Sequence, residues 1–468
     1  MTLRIYDTGT RSVREFTPLT PGHVSIYYCG ATVQAAPHVG HLRPGIVFDI
    51  LTRWLRASGY EVTVCRNVTD IDDKILARAA EQSRPWWAVA QQYEREFTHA
   101  YETLGCVPPT VEPRATGHIP QMIELIGRLI DQQVAYPVGG DVYFSVSSFP
   151  DYGQLSGQRL DDLQAAADSV DDPRKRDPRD FALWKGAKPG EPAWDSPWGA
   201  GRPGWHLECS AMAVYYLGPQ FDIHGGGIDL IFPHHENELA QSRAAGDPFA
   251  NYWLHNSWVT AAGEKMGKSL GNALAVDQVL KRVRPVELRY YLAAAHYRST
   301  LEFSYESVVE SAVGFRRISA FLSKVSDEPL PTASADLCPS MFVEAMDDDL
   351  GVPAAVAVIF DTVRAGNAAL ESGDEQGLRQ AWRSVSAMCS VLGINPLEDP
   401  WRSRDGGSDQ SMAALGVLVE DLLAARQKAR AERDWAQADA IRDRLMAAGV
   451  HIEDRPTGPV WSVDADGR

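Results

Sequence analysis

Residues 24–68 contain the run Val24-Ser25-Ile26-Tyr27-Tyr28-Cys29-Gly30, a segment from Leu42 to Ser58 that stops at Gly59, and a second apolar run from Glu61 to Val68. The first run predicts a buried strand, because it is largely apolar and ends at a glycine. Apolar residues recur at helical spacing in the middle segment, and the third run predicts another strand. Together they predict a βαβ unit of a doubly wound α/β domain, a fold that binds nucleotides at the N-terminus of the helix.

Two short basic motifs lie more than two hundred residues apart, His38-Val39-Gly40-His41 and Lys265-Met266-Gly267-Lys268-Ser269. The imidazoles of the first follow the predicted strand, where they could contact phosphate oxygens of a nucleotide packed against bare glycine backbone. The second puts two ammonium groups on a glycine-containing loop, which suits the charge of a leaving pyrophosphate. A solvated basic turn would also explain the lysines alone. Both motifs, in this order around an α/β pattern, indicate an ATP-activation site.

Length, charge and cysteine content limit the class of protein. A chain of 468 residues predicts roughly three or four domains. It has no apolar signal region and no run near the roughly 18 apolar residues of a membrane span, so we expect a cytoplasmic protein with no membrane partner. Six cysteines without close spacing argue against a disulfide framework. A net charge of −17 argues against general coating of nucleic acid, although a local basic track remains compatible with it.

The pattern changes twice along the chain. A region rich in Pro, Gly and Asp, from about Thr116 to Pro203, interrupts the nucleotide domain, which resumes with a strand over Phe221–Gly227 and a helix from Pro233. Beyond Leu301 helical periodicity takes over, and the predicted helices are Val308–Val325, Met341–Gly366 and Glu375–Leu392. Asn395–Ser411 predicts a linker before a small unit that begins at Met412.

The expected fold is therefore α/β: a Rossmann-like doubly wound catalytic domain with an insertion, followed by an all-α helical bundle and a small C-terminal unit. The expected limits are 1–115 and 204–255 for the catalytic domain, 116–203 for the insertion, 256–310 for a linker domain that carries the second motif, 311–394 for the bundle and 412–468 for the C-terminal unit.

Four further blocks occur in a fixed order, Tyr28-Cys29-Gly30-Ala31-Thr32-Val33, Asn67-Val68-Thr69-Asp70-Ile71-Asp72-Asp73-Lys74, Gly204-Trp205-His206-Leu207-Glu208-Cys209 and Phe232-Pro233-His234-His235-Glu236-Asn237-Glu238. With them the chain resembles the cysteinyl-tRNA synthetase family of class I aminoacyl-tRNA synthetases throughout its length. That family holds a zinc ion at the bottom of its amino-acid pocket, and the resemblance implies one zinc per chain on Cys29, Cys209, His234 and Glu238. It implies substrate contacts from Cys29, Gly30, Thr32, Thr69, Trp205 and His224.

The chemistry of these residues agrees with a metal site. His234 and Glu238 are four apart on a predicted helix and so share a face. Two thiolates, an imidazole and a carboxylate suit tetrahedral zinc. Zinc prefers sulfur and could separate cysteine from serine, whereas an apolar pocket rejects a hydroxyl analogue by only roughly a hundredfold. Spacing alone leaves each cysteine open as a small buried hydrophobe, which we expect of the remaining four, Cys65, Cys106, Cys338 and Cys389.

The resemblance implies that ATP, accompanied by Mg²⁺, activates L-cysteine to cysteinyl-adenylate, which a monomeric enzyme passes to the 3′-terminal ribose of tRNA(Cys). The implied catalytic residues are His38, His41, Lys265 and Lys268, and the implied ATP contacts add Gly40, Gly226 and Asp229. Gly267 replaces the serine usual in the family's second motif, so we expect costlier loop closure and slower adenylate formation. The implied anticodon contacts are Arg430, Asp439 and Asp454, although charge pairing on a solvated helix would also explain them.

Three other functions stay open at this point. The cysteine ligase of mycothiol synthesis shares the zinc and nucleotide motifs, but it is shorter and lacks the last helical unit. A non-catalytic RNA-binding paralogue would be expected to lose the signature residues, yet both histidines and both lysines are present. A zinc hydrolase built on His234 and Glu238 would need a water-activating carboxylate, and no His-Glu-x-x-His motif occurs.

Overall fold

The computed structural model describes residues 2–159, 172–266, 274–325, 328–432, 434–455 and 458–463. The N-terminal part consists of β1 (Arg4–Asp7), β2 (Ser12–Glu15), β3 (His23–Tyr28), α1 (Val39–Ala57), β4 (Glu61–Arg66), α2 (Asp73–Glu81) and α3 (Trp86–Thr103). The predicted βαβ unit is confirmed, because β3 and β4 pair in parallel on either side of α1. Helix α1 buries an apolar face. Gly59 follows the end of the helix with a φ of 90°, a left-handed conformation that glycine adopts without steric cost.

The insertion has its own sheet and core. It contains α4 (Ile119–Asp131), β5 (Ala135–Val138), β6 (Asp141–Phe144), β7 (Phe181–Gly186) and β8 (Gly201–Pro203). The strands form an antiparallel sheet in the order β5-β6-β7-β8. The apolar face of α4 packs with this sheet, with Met122, Ile126 and Leu129 all buried. The chain thus leaves the parallel sheet after β4 and returns to it beyond β8.

The returning segment completes the doubly wound sheet. It comprises α5 (Trp205–Leu217), β9 (Gln220–Gly227), α6 (Glu236–Ala244) and β10 (Phe249–Asn256). The parallel sheet has the order β10-β9-β3-β4, so that β3 and β9, distant in sequence, are neighbours. Their carboxyl ends carry Cys29, Gly226 and Gly227, and this edge is where such folds bind ligands.

The segment after β10 contains β11 (Val259–Ala261), β12 (Glu264–Lys265), α7 (Val276–Val279), α8 (Pro285–Ala294) and β13 (Leu301–Glu302). The helical bundle follows as α9 (Tyr305–Leu322), α10 (Ser340–Asp347), α11 (Val352–Ser372) and α12 (Glu375–Leu392). Helix α12 matches its predicted bounds. In the described part of the chain no helix is long and apolar enough to cross a bilayer.

One helix prediction for the bundle is wrong. Met341–Gly366 was expected to be continuous, but α10 and α11 are separated at Asp349 and Leu350, which have φ values of 57° and 53°. The cause is tertiary, because the Asp349 carboxylate accepts from the Tyr6 N–H (2.8 Å) and binds Arg298 (2.6 Å). These contacts hold the bundle against β1 and override the apolar periodicity.

The prediction of a linker over Asn395–Ser411 is also wrong in part. The C-terminal elements are α13 (Trp401–Ala431), α14 (Trp435–Ala447), β14 (Val450–Arg455) and β15 (Gly458–Val463), so α13 begins inside the expected linker. Trp401 is buried, and its indole N–H donates to the Gly393 carbonyl (3.1 Å), which anchors the start of α13 beside the end of α12. Further along, Val419 and Leu423 form a small core with α14 and β14.

Candidate active site

The two basic motifs lie next to each other at the N-terminus of α1. The Val39 N–H donates to the Leu274 carbonyl (3.2 Å), and the Val276 N–H donates to the Pro37 carbonyl (3.3 Å). A Cβ atom on Gly40 would lie 3.1 Å from the His38 ring and 3.8 Å from Cβ of Met266. The absence of a side chain at Gly40 therefore lets the two motifs lie close to each other. Gly267, Lys268 and Ser269 lie outside the described residues.

The two signature histidines form one unit. The imidazoles of His38 and His41 stack with centroids 3.5 Å apart, and the His38 N–H donates to Nδ1 of His41 (3.3 Å). His38 precedes the first turn of α1 and His41 lies within it, where the helix dipole favours an anion. This arrangement suits phosphate.

Asp229 and Lys265 face each other across the same edge of the sheet. The Lys265 ammonium donates to Oδ2 of Asp229 (2.9 Å), and the Trp258 indole N–H lies 3.3 Å from Oδ1. All three side chains are partly exposed. Gly226 lies at the end of β9, and a Cβ there would approach the Leu230 side chain to 2.9 Å, so the backbone is kept bare. Asp229 thus lies just beyond the glycine turn that ends β9.

The four implied metal ligands lie together although they come from remote segments. One ligand atom from each of Cys29, Cys209, His234 and Glu238 lies within 4.8 Å of all the others, and all four side chains are buried. Sγ of Cys29 is 3.8 Å from Sγ of Cys209 and 3.4 Å from Oε1 of Glu238, which is 2.9 Å from Nε2 of His234. Two thiols, an imidazole and a carboxylate are a donor set that fits zinc.

The electrostatics of this cluster favour a cation. Burial opposes ionisation of Cys209, but hydrogen bonding from Cys29 and His234 outweighs it and lowers the Cys209 pKa to about 6. Burial likewise opposes the charge of Glu238, yet His224 and His234 lower its pKa to about 2. The pKa of Cys29 is raised by burial and by the neighbouring Cys209 and Glu238. Cys209 and Glu238 are therefore anionic at neutral pH. Although burial opposes it, Glu238 and Cys209 raise the pKa of His234 to about 10. A divalent cation bound between these two anions would displace the protons of Cys29 and of His234.

A second set of side chains could hold a metal at nearly the same place. Cys29, His224, His235 and Glu238 also bring their ligand atoms within 4.8 Å of one another. Nε2 of His235 is 3.3 Å from Sγ of Cys29, and Nε2 of His224 is 2.7 Å from Oε2 of Glu238. The two sets share Cys29 and Glu238. The first has two thiols and is the better match to zinc.

Sequence reasoning missed three histidines around this cluster. His235 contacts Cys29 and is joined through Nδ1 to Nε2 of His255 (2.7 Å), while His206 is joined to His234 (2.8 Å). Burial and the charge of nearby histidines keep the pKa of His235 well below its usual value. The His234-His235 doublet was a visible signal, whereas the involvement of His206 and His255 depends on the packing of α5 and β10.

Two of the expected substrate contacts, Trp205 and His224, adjoin the cluster. Trp205 stacks on His234 with centroids 4.2 Å apart, and His224 stacks on Trp253 at 4.6 Å. Thr32 and Thr69 lie opposite each other in a parallel bridge between the chain segments that follow β3 and β4. Beside Trp205 and His206, a cavity of about 530 Å³ opens between the insertion and the catalytic domain. The cluster is thus next to space that a small molecule or a chain end can enter.

Gly30 has a strict steric requirement. Its N–H donates to Oδ1 of Asn67 (2.9 Å), and a Cβ atom would lie 1.7 Å from the Asn67 carbonyl oxygen. We expect Gly30→Ala to destabilise the protein by about 1–3 kcal/mol, because the backbone after β3 must shift. Thermal unfolding measures this. The matched control is Gly117→Ala, where nothing lies within 4 Å, and an equal loss in both variants would contradict the prediction.

The implied anticodon residues occupy the C-terminal unit. Arg430 is exposed near the end of α13, and Asp439 is exposed on α14, 3.3 Å from Arg442. Asp454 lies in β14 opposite Pro459. Trp461 packs against the small core of this unit.

Comparison with known proteins identifies the family. Residues 15–313 match a model of the class I (C) tRNA synthetase catalytic domain, residues 341–397 a DALR domain and residues 412–461 a cysteinyl-tRNA ligase anticodon-binding domain.

Two curated relatives, both named cysteine–tRNA ligase, are 54% identical (Streptomyces avermitilis) and 55% identical (Streptomyces griseus) and cover 99% of both chains. A methionyl-tRNA synthetase from Mycobacterium tuberculosis in complex with methionyl-adenylate shares the fold, with a TM-score of 0.55 at 16% identity over 80% of this chain and 90% of its own. The chain therefore belongs to the cysteine–tRNA ligases, a family of class I aminoacyl-tRNA synthetases.

Proposed function

We propose that this chain activates L-cysteine with ATP and Mg²⁺ and transfers the cysteinyl group to the 3′-terminal ribose of tRNA(Cys), with a zinc ion selecting the substrate thiolate. The proposal rests chiefly on the convergence of Cys29, Cys209, His234 and Glu238 within 4.8 Å beside the nucleotide-binding edge of the sheet. Zinc held there would supply a thiophilic Lewis acid that prefers cysteine over serine. Cys29 and Glu238 would belong to the site in either ligand set.

In the activation step the cysteine carboxylate attacks the α-phosphorus of ATP, and pyrophosphate leaves. The protein contributes position and charge rather than covalent chemistry. His38 and His41 bind phosphate oxygens at the N-terminus of α1, and Lys265 and Lys268 neutralise the leaving pyrophosphate. The bare backbone at Gly40 and Gly226 lets the nucleotide approach closely.

Asp229 accepts from a ribose hydroxyl of the nucleotide. Gly30, Thr32, Thr69, Trp205 and His224 enclose the amino acid. The stacking of Trp205 on His234 supports this role, because it puts an aromatic wall directly beside a proposed ligand. The pocket would thus be continuous with the metal site.

In the transfer step a ribose hydroxyl of the tRNA attacks the adenylate carbonyl, loses its proton and displaces AMP, which gives cysteinyl-tRNA. The C-terminal unit, 412–468, would read the anticodon through Arg430, Asp439 and Asp454, and the bundle, 311–394, would contact the stem. The insertion, 116–203, would contact the acceptor end, and the linker domain, 256–310, would hold the second signature motif beside the catalytic domain, 1–115 and 204–255. A monomeric state is part of the same proposal.

The match to an anticodon-binding domain over residues 412–461 favours a tRNA substrate over the amino sugar of the mycothiol ligase. The experiment is ATP–pyrophosphate exchange with cysteine, serine or no amino acid, combined with metal analysis and charging of purified tRNA(Cys). We expect cysteine-dependent exchange, about one zinc per chain and charging. Exchange without charging but with ligation to an amino sugar would favour the mycothiol ligase, and no exchange would favour the RNA-binding paralogue.

A further inference from the structure

Trp258 is an aromatic side chain on the nucleotide-binding edge that the roles above leave unused. It is 40% exposed, whereas Trp54, Trp184 and Trp382 are fully buried in cores. Burial of an indole ring normally contributes substantially to stability. An indole left exposed at a ligand-binding edge therefore suggests a role in binding.

The position of Trp258 is set by the sheet. It comes two residues after Asn256, the last residue of β10, which pairs with Gly227 at the end of β9. Its carbonyl accepts from Nη1 of the buried Arg43 (2.7 Å) and from the Leu301 N–H (3.0 Å). Because Arg43 belongs to α1, the backbone of Trp258 is fixed to the helix whose N-terminus carries the signature histidines.

The indole also contacts two groups that the proposed function assigns to ATP. Its N–H lies 3.3 Å from Oδ1 of Asp229, and Nζ of Lys265 lies 5.4 Å from the ring centroid and 2.9 Å from Oδ2 of Asp229. A nucleotide with its ribose on Asp229 and its phosphates near Lys265 and the signature histidines would carry its base within reach of this ring.

We propose that Trp258 is the platform on which the purine base of ATP stacks, and that its indole N–H orients the Asp229 carboxylate toward the ribose. This inference rests on the proposed ATP site. The ring supplies a flat π-face, and stacking of a base on an aromatic side chain is a substantial and sequence-tolerant contribution to nucleotide binding. The N–H contacts Oδ1 while the Lys265 ammonium contacts Oδ2, so the two donors together fix the orientation of the Asp229 carboxylate.

Two substitutions separate the roles of the ring and of the N–H. In cysteine-dependent ATP–pyrophosphate exchange, Trp258→Ala is expected to raise the KM for ATP about tenfold or more, with the KM for cysteine within about twofold of the unaltered chain. Trp258→Phe keeps a ring, so its KM for ATP is expected to stay within about threefold. The same variant should discriminate less than the unaltered chain between ATP and 2′-deoxy-ATP or 3′-deoxy-ATP.

The matched control is Trp87→Ala, which removes an indole that is 59% exposed on α3 and is expected to change neither KM. An unchanged KM for ATP in Trp258→Ala, or equal losses in the Ala and Phe variants, would overturn the proposal. If Trp258→Ala does not fold, the deoxynucleotide discrimination of Trp258→Phe decides alone. Absence of exchange in the unaltered chain would instead refute the proposed function, so that the two failures are distinguishable.

Discussion

Replacing Cys209 by serine is expected to reduce bound zinc well below one per chain and to lower kcat/KM for cysteine in ATP–pyrophosphate exchange by at least about a hundredfold. The magnitude follows because even the outer partners of metal ligands cost about 10- to 100-fold in affinity or activity when mutated, and Cys209 is a proposed direct ligand. Its pKa of about 6 makes it the thiol of the cluster that is ready to bind a cation. Serine offers no comparable anion near neutral pH.

The control for this variant is Cys65→Ser. Cys65 is as deeply buried as Cys209 and lies on β4, the strand next to β3. Burial raises the pKa of Cys65, and this thiol belongs to neither ligand set. We expect zinc content and cysteine selectivity to be unchanged in Cys65→Ser. Any loss common to both variants would then reflect destabilisation by a buried hydroxyl rather than loss of a ligand.

His235→Gln distinguishes the two overlapping ligand sets. If Cys29, Cys209, His234 and Glu238 hold the metal, His235→Gln keeps zinc while Cys209→Ser loses it. The opposite pattern would assign the ion to Cys29, His224, His235 and Glu238. Retention of zinc and of cysteine selectivity in both variants would contradict a metal at this cluster.

Much of the catalytic fold could be predicted because its signals are local. The strand that ends at Tyr28, the helix that ends before Gly59 and the glycine turn at Gly227 each have a pattern within one segment. The same holds for α12, whose predicted and observed bounds coincide. Local patterns could not predict the break at Asp349, because that conformation depends on contacts with Tyr6 and Arg298 from other parts of the chain.

The candidate site shows the same division. Family motifs predicted Cys29, Cys209, His234 and Glu238 as a set, and these residues converge in space. His235 was missed although it follows His234 directly in the sequence. His206 and His255 were not predicted, because each reaches the cluster only through the packing of α5 and β10. The same limitation applies to Trp258, whose contact with Asp229 joins two loops that follow different strands.

The second large effect concerns the junction between the catalytic domain and the helical bundle. Arg289, on α8, is completely buried, and its guanidinium donates to the carbonyls of Leu104 (3.0 Å) and Leu392 (2.9 Å) and forms an ion pair with Asp49 on α1. Burial alone would raise the pKa of Asp49, but Arg289 and Arg53 outweigh it and lower that pKa. The carboxylate is therefore charged and buried at neutral pH.

Arg289→Met is expected to destabilise the protein by about 3–5 kcal/mol, because it leaves Asp49 with less compensation and two buried carbonyls without their donor. The thermal midpoint at pH 7 should fall by roughly 3–5 °C for a chain of 468 residues. Since the Asp49 pKa is lowered on folding, its contribution is present above its unfolded value of about 3.9 and is lost as the pH falls below it. The deficit of the variant should accordingly shrink in acid.

Two further variants test whether the loss of stability arises because the ion pair is buried. Arg316→Met is the same substitution in an ion pair with Glu287 (2.9 Å), but Arg316 is 56% exposed, so we expect a cost of less than about 1 kcal/mol. Adding Asp49→Asn to Arg289→Met removes the buried charge that only Arg53 would still compensate and should recover part of the loss. Equal midpoints for the Arg289 and Arg316 variants, or no recovery in the double variant, would show that the buried pair does not hold the bundle to the catalytic domain.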